Sequence, residues 1–255
     1  MKILLIDTCG ATGSLALADT DLSPAIVASA SLPGRSAAER LVPSIHALAV
    51  SSGISLNQLV AIAVVHGPGS FTGERVGLSA AKGLCHALNL PLVVISRLAV
   101  VASLAAPRVP HSSPTVPHSS QSHRDEWVTT VHALLDAGRG EFYSGLYADG
   151  LCLRESLFTR DQFLADGAAQ PHQTVVVCES VVAQSIAELT PQLVAEPTAA
   201  DGLPLALARI QQRDFDDVAS IDANYLRRTD AEIFAKPIAA APSKLSATQP
   251  GTPAR

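Results

Sequence analysis

The run His66-Gly-Pro-Gly-Ser-Phe-Thr-Gly73 is the first place in this chain where residue types and spacing could support chemistry. Ser70 follows His66 by four residues, and a serine beside a histidine base is the arrangement of nucleophilic catalysis. Such a pair works only if the two side chains meet, which a Gly-Pro-Gly turn between them does not ensure. We therefore interpret this spacing as coincidence rather than as the site of a peptidase.

The same run joins an apolar segment to a helix, which raises the question of anion binding. Free N–H groups at the helix start, with Ser70 or Thr72 as cap, could hold an anion. Glu74, just inside the helix, would repel a phosphate. Gly73 and Gly77 lie one turn apart and allow close helix approach, in return for the ~1 kcal/mol that a glycine costs in a helix interior. We predict that these glycines serve packing.

Asp7 and Asp136 each end an apolar segment and precede a glycine-rich turn. In sugar kinases and actin-like ATPases, carboxylates at equivalent strand ends face a metal nucleotide. Aspartate also caps the N–H groups of a tight turn, and we predict this role for both residues. An actin-like ATPase or a sugar-kinase-type phosphotransferase remains the alternative function.

Metal and redox sites are not favoured by the remaining ligand-type residues. The four cysteines, Cys9, Cys85, Cys152 and Cys178, form no C-x-x-C pair, so we expect reduced thiols. The Pro/Ser-rich segment 107–126 contains three histidines whose spacing fits no helix face. The sequence therefore predicts no metal site.

The first half of the chain has the pattern of a mixed sheet with crossover helices. Apolar runs predict strands at residues 3–6, 14–18, 25–32, 60–65 and 91–95. Helices are predicted at residues 36–51, after the turn at 67–69, and at 97–106. The first of these helices begins with the capping box Ser36-Ala-Ala-Glu39. The order β-β-β-α-β-α-β-α is that of the ribonuclease H-like half of actin-like folds.

The second half repeats the beginning of the first. Residues 134–149 match residues 4–19 as strand, Asp, glycine-rich turn and returning strand. Strands at 151–158 and 174–177 and helices at 181–189 and 203–212 would complete a reduced copy. We predict an α/β protein with an actin-like (ASKHA) fold of two ribonuclease H-like halves. Its expected parts are a first lobe at 1–106, a disordered insertion at 107–126, a smaller lobe at 127–235 and a disordered tail at 236–255.

Composition limits the partners. The 255 residues are 47% hydrophobic and carry 18 basic against 23 acidic residues, a net charge of −5. Unaided nucleic-acid binding draws on many Lys and Arg contacts to phosphate, so this composition does not favour a protein that holds RNA by itself. No apolar run approaches the roughly 20 residues that span a bilayer, and we expect a cytoplasmic protein without membrane contact.

Several segments together resemble the TsaB (YeaZ) family of tRNA threonylcarbamoyladenosine biosynthesis proteins. The signature is Gly-Pro-Gly-Ser-Phe-Thr-Gly at 67–73 with Arg75 and Gly77, and Asn224-Tyr-Leu-Arg227 resembles the family's Pro-x-Tyr-Leu-Arg. Glu74 and Cys178-Glu179 depart from the family pattern. The residues assigned to the family motif are Asp7, Thr8, Gly67, Pro68, Gly69, Ser70, Phe71, Thr72, Gly73, Arg75, Gly77, Asp136, Tyr225, Leu226 and Arg227.

The resemblance implies a pseudo-enzyme without catalytic residues, cofactor or metal of its own. It would dock and activate a catalytic TsaD-type transferase, with a TsaE-type ATPase as third subunit and tRNA bound through the complex only. The catalytic relative binds metal through H-x-x-x-H on its first helix, whereas this helix carries only His46. The resemblance further allows ATP or ADP at the junction between subunits, and a homodimer when the chain is alone.

The helix at 36–51 supplies the predicted partner interface. At 100° per residue, Leu41, Val42, Ile45, Leu48 and Ala49 point toward the chain's own sheet. The opposite face is small and partly apolar, which suits close approach by another helix. The residues predicted to form this interface are Arg40, Pro43, Ser44, Ala47, Val50 and Ser51.

Overall fold

The computed structural model describes residues 1–33, 37–105, 130–166 and 173–226. Within these ranges the chain forms ten strands and six α-helices. The strands are β1 (Lys2–Asp7), β2 (Gly13–Asp19), β3 (Ile26–Leu32), β4 (Leu59–Val65), β5 (Leu92–Ile95), β6 (Thr130–Gly138), β7 (Glu141–Ala148), β8 (Leu151–Thr159), β9 (Thr174–Val177) and β10 (Gln192–Leu193). The helices are α1 (Ala37–Ser52), α2 (Phe71–Leu88), α3 (Arg97–Ser103), α4 (Arg160–Asp166), α5 (Ser180–Ser185) and α6 (Leu203–Gln211).

The first sheet has the strand order β3-β2-β1-β4-β5, with β1 antiparallel to β2 and parallel to β4. Its central strand β1 is a continuous apolar run because both faces of the sheet are covered. On one face Leu4 and Ile6 pack with residues of α1 and α2 such as Leu41 and Leu78. On the other face Ile3 packs with residues of the 3₁₀ turn Ala199–Gly202 and of α6.

The second sheet repeats this topology in the order β10-β9-β6-β7-β8. Phe163 of α4 and Val182 of α5 pack on one face of it, together with Leu134 of β6. Helix α3 follows a strand of the first sheet but packs on the other face of the second, where Leu98 contacts the cluster around Ala133. The two lobes are thus joined by a buried helix.

The predicted actin-like fold with two ribonuclease H-like halves is confirmed by these two matching sheets. The second half is reduced in its helices rather than in its strands, since α4 and α5 have 7 and 6 residues where α1 and α2 have 16 and 18. The helix predicted at 181–189 ends early and continues as the 3₁₀ turn Ala187–Leu189. Helix α4 and strand β10 were not predicted.

The predicted division of the chain needs one correction. Residues 199–211 were assigned to the second lobe, at 127–235, yet Ala199, Leu203 and Ala206 are buried against the first sheet. The segment that follows also returns to the first sheet, where Leu92 bridges Asp216. The physical reason is that the face of the first sheet opposite α1 and α2 would otherwise expose apolar side chains.

Some predictions fall on residues outside the described ranges. These are the capping residue Ser36, the insertion at 107–126, Arg227 and the tail at 236–255. Among the described residues, no helix is both long and apolar enough to cross a membrane.

Candidate functional site

The motif at 67–77 forms the turn between β4 and α2 and the first turns of that helix. Of the two predicted caps, Ser70 is the N-cap, and its Oγ accepts the N–H of Gly73 at 3.3 Å. The N–H of Ser70 donates to the carbonyl of Cys9 at 2.8 Å, which ties the helix start to the turn after β1. His66 points elsewhere, with Nδ1 3.0 Å from the carbonyl oxygen of Ile95. The side chains of His66 and Ser70 thus bond to different backbone groups, which agrees with our interpretation of their spacing as coincidence.

The glycines of the motif allow α2 to touch the turn after β1. A Cβ at Gly73 would lie 1.9 Å from the carbonyl oxygen of Thr8, and one at Gly77 would lie 2.3 Å from Thr8 Oγ1. Gly69 is equally close to Cys9, at 2.4 Å from its carbonyl oxygen. Thr8 Oγ1 donates to the carbonyl of Gly73 at 2.6 Å. The predicted packing role of Gly73 and Gly77 is confirmed.

A cleft of about 660 Å³ lies between the two lobes, beside this contact. Its first-lobe wall is formed by the turn after β1 and by the N-terminal ends of α1 and α2, and its second-lobe wall by the turn after β6 and by Glu179. The lining residues from the predicted motif are Thr8, Gly69, Ser70, Thr72, Gly73 and Asp136.

Buried charges of the first lobe surround the floor of this cleft. Asp7 Oδ1 accepts the N–H of Cys9 at 2.8 Å, and burial raises the pKa of this carboxyl. Burial also raises the pKa of Glu74 to about 7, against the opposing effects of the Gly69 N–H and of nearby arginines. Arg97, only 4% exposed, pairs with Glu196 at 3.1 Å. Both side chains pack against Gly10, where a Cβ would lie 2.6 Å from each of them.

The second lobe contributes a matching turn. Asp136 Oδ1 accepts the N–H of Gly138 at 2.7 Å, and the N–H of Asp136 donates to Glu179 Oε2 at 2.8 Å. Burial raises the pKa of Glu179. The hydrogen bonds of Asp7 and Asp136 are those predicted for turn residues.

Most charged side chains in and beside the cleft are acidic. Asp7, Glu74, Asp136, Glu179 and Glu196 lie in or beside the cleft, and Arg97, already paired with Glu196, is the one arginine among the described residues that line it. A polyphosphate that arrived without a metal ion would find no unpaired cationic side chain among the described lining residues. Among the described residues, no cluster of three or more His, Cys, Asp or Glu could hold a metal ion. The phosphotransferase alternative receives no support from this site.

The C-terminal part of the family motif lies against the 67–77 motif. Arg75 Nε donates to the hydroxyl of Tyr225 at 2.7 Å, and its guanidinium carbon lies 3.8 Å from the centre of the Phe71 ring. The N–H of Asn224 donates to the carbonyl of His66 at 2.9 Å. Leu226 packs on the cluster between α3 and the second sheet. Segments 150 residues apart in sequence therefore form one surface.

Glu155, which the sequence analysis missed, connects both lobes to this surface. Its carboxylate accepts the hydroxyl of Ser96 at the end of β5, that of Tyr147 in β7 at 2.5 Å, and the side-chain amide of Asn224 at 2.7 Å. Nothing in the segment Leu-Cys-Leu-Arg-Glu distinguishes this glutamate from a solvent-exposed one. Its role depends on partners 59 and 69 residues away.

The burial and exposure of the α1 side chains largely match the prediction, whereas the partner interface itself stays a prediction. Leu41, Ile45, Leu48 and Ala49 are buried. Val42 was expected to be buried but is 55% exposed, because it lies 100° from Leu41 at the edge of the apolar stripe. Of the residues predicted for the interface, Ser44 is partly exposed, and the others are exposed: Arg40, Pro43, Ala47, Val50 and Ser51.

Residues 31–235 match the model of the family described as TsaD: tRNA N6-adenosine threonylcarbamoyltransferase. The chain belongs to this family. Within it, the chain is similar to proteins named tRNA threonylcarbamoyladenosine biosynthesis protein TsaB. It is 33% identical to that of Escherichia coli K12 and 30% identical to that of Bacillus subtilis 168, each over 147 residues.

These two alignments cover 58% of this chain and 55% of each relative, so the chain spans about half the length of the curated relatives it matches. The solved structure of YeaZ from Pseudomonas aeruginosa covers more of the chain. It superposes with a TM-score of 0.65 at 25% identity, over 88% of this chain and 99% of YeaZ. The predicted TsaB (YeaZ) resemblance is confirmed.

Proposed function

We propose that this chain is a non-catalytic subunit in the formation of threonylcarbamoyladenosine on tRNA, and that it docks and activates a catalytic TsaD-type transferase. The pathway in this proposal is taken from the names of the relatives, which are tRNA threonylcarbamoyladenosine biosynthesis proteins. The observation that carries the docking role is the outward face of α1, where Val42, Pro43, Ala47 and Val50 are all exposed. Adjacent exposed apolar side chains on one helix are typical of a surface that another protein covers.

The composition of α1 also supports the non-catalytic part of the proposal. The catalytic relative binds its metal through two histidines, one helical turn apart, on the first helix. Helix α1 contains a single histidine, His46, and the full sequence contains no H-x-x-x-H. The cleft between the lobes is acidic, and its arginine is already paired. These features favour a binding role over transfer chemistry.

The partners follow from this proposal. The catalytic subunit would cover α1, the same face would form the homodimer when the chain is alone, and a TsaE-type ATPase would complete the complex. With a net charge of −5, the chain would contact tRNA through the complex rather than hold it alone. A nucleotide at the subunit junction remains a prediction.

The substitution Ala47→Glu tests the docking face. It would place an unpaired carboxylate inside the interface, and we expect binding of a purified catalytic subunit to weaken about tenfold or more, together with loss of self-association. Ala165→Glu, at an exposed alanine of α4, is the matched control and should bind as wild type. Circular dichroism verifies folding, and light scattering with calorimetry reports assembly. Unchanged binding by folded Ala47→Glu would disprove docking through this face.

A further inference from the structure

We propose that Arg75 is an anchor for a carboxylate on a protein partner, at a second docking point outside the α1 face. The anchor consists of Arg75, Phe71 and Tyr225. Its identification as a carboxylate site stands on the geometry of these three side chains, whereas the choice of the catalytic subunit as partner rests on the proposed function.

The guanidinium of Arg75 is held in place before any partner arrives. It stacks on Phe71, one helical turn earlier, at 3.8 Å from the ring centre, and lies 5.5 Å from the centre of the Tyr225 ring. The Tyr225 hydroxyl accepts from Nε at 2.7 Å, which fixes the rotation of the planar group. Because an arginine fixed in this way loses little side-chain freedom on binding, it forms a stronger contact than a mobile one.

The fixed group retains donors for a partner. Its hydrogen bond within the described structure uses Nε, and no described residue accepts from the two terminal amino groups. Those groups form the fork that matches a carboxylate in bidentate fashion. Phe71 is 43% exposed beside them, although large aromatic side chains are usually covered. An arginine next to an exposed aromatic ring is the typical composition of an energetic centre in a protein interface.

The described cationic side chains near Arg75 are too few to favour RNA. Nucleic-acid binding needs several cationic side chains on one surface. The other lysine or arginine of α2 is Lys82, which donates to the carbonyl of Ile221 at 3.0 Å. Among the described residues, the guanidinium of Arg75 is the one that lies over the Phe71 ring with free donors, and such a group matches one carboxylate of a protein.

The segment carrying Tyr225 is itself held in position from the second lobe. Asn224 donates its backbone N–H to His66 and its side-chain amide to Glu155. Tyr225 is therefore a positioning residue for Arg75, and removing its hydroxyl alone should affect the anchor without removing the ring.

The first test measures the dissociation constant of the full chain and a purified catalytic subunit by calorimetry. We expect Arg75→Gln to weaken binding about tenfold, Arg75→Lys to recover only part of that loss, and Tyr225→Phe to weaken it about threefold. Arg213→Gln, at an exposed arginine after α6, is the matched control and should bind as wild type. Wild-type affinity in folded Arg75→Gln would overturn the anchor, while the Ala47→Glu result judges the α1 face separately.

A second test does not depend on the catalytic subunit. The Nε–H resonance of Arg75 in the full chain is followed by NMR during titration with a hexaglutamate peptide, a hexaglutamine peptide and hexauridylate. A shift with hexaglutamate alone, reduced in Tyr225→Phe at the same peptide concentration, supports the anchor. No shift with hexaglutamate, or an equal shift with hexauridylate, would contradict it even if the proposed function holds.

Discussion

The two lobes share one strand order but differ in the turn that follows their first strand. In the first lobe, Thr8 and Cys9 are in direct contact with the start of α2 and the turn before it, through Gly73 and Gly69 respectively. In the second lobe the equivalent turn is open, since a Cβ at Gly138 or Gly140 would meet nothing within 4 Å. The fold therefore provides the turn twice, but only the glycine motif of the first lobe places a long helix on it.

The helices of the two lobes differ in length, and the longer ones belong to the first lobe. Helices α1 and α2 are long enough to cover their sheet and still present an outward face, whereas α4 and α5 are too short to do both. The docking features proposed above, the α1 face and Arg75, both lie on helices of the first lobe. The second lobe contributes support through Glu155.

The largest expected effect comes from filling the contact between α2 and the first turn. Gly73→Ala would place a methyl group 1.9 Å from a backbone oxygen, and neither side can yield without moving the helix. We expect a loss of about 3 kcal/mol in unfolding free energy, measured by urea denaturation. Gly83→Ala in the same helix meets nothing within 4 Å and should stabilise by up to about 1 kcal/mol. Equal effects of the two substitutions would refute the proposed role of the contact.

A smaller effect is expected from weakening the link between the lobes. Glu155→Gln replaces two acceptor oxygens by one and sets an amide group against the amide of Asn224 or a hydroxyl donor. We expect a loss of about 2 kcal/mol and faster amide exchange at Asn224 and Tyr225. Tyr147→Phe, which removes a single donor, should cost about 1 kcal/mol. If exchange at residues 224 and 225 is unaffected, Glu155 does not hold that segment.

The smallest effect concerns pH and the acid buried in the first lobe. Burial raises the pKa of Glu74 to about 7, so the folded state binds a proton more tightly than the unfolded chain. This contribution to stability is present below the ordinary pKa of glutamate and is lost as the pH rises through about 7. Between about pH 6 and pH 8, wild type should lose about 1 kcal/mol relative to Glu74→Gln. Parallel stability curves for the two proteins would show that the pKa is not raised.

The sequence predicts features that depend on neighbours close in the chain. The strand runs, the Ser70 cap and most of the α1 stripe follow from periodicity and local hydrogen bonding. The contacts of Glu155, the Arg97–Glu196 pair and the packing of α6 on the first sheet could not be predicted in this way. Each joins segments far apart in sequence, and no local pattern identifies the partner. Val42 shows that burial is hard to predict even within one helix, because the 3.6-residue period does not fix which residues at the edge of the apolar stripe are covered.

The most direct test of the central claim is reconstituted threonylcarbamoyl transfer to tRNA, measured with this chain alone, with a TsaD-type catalytic subunit and TsaE-type ATPase alone, and with all three together. The proposed role predicts no transfer by this chain alone and at least about tenfold faster transfer when it is added to the other two. Ala47→Glu should abolish that stimulation, while Ala165→Glu should preserve it. Transfer by this chain alone, or an equal rate with and without it, would contradict a docking and activating role.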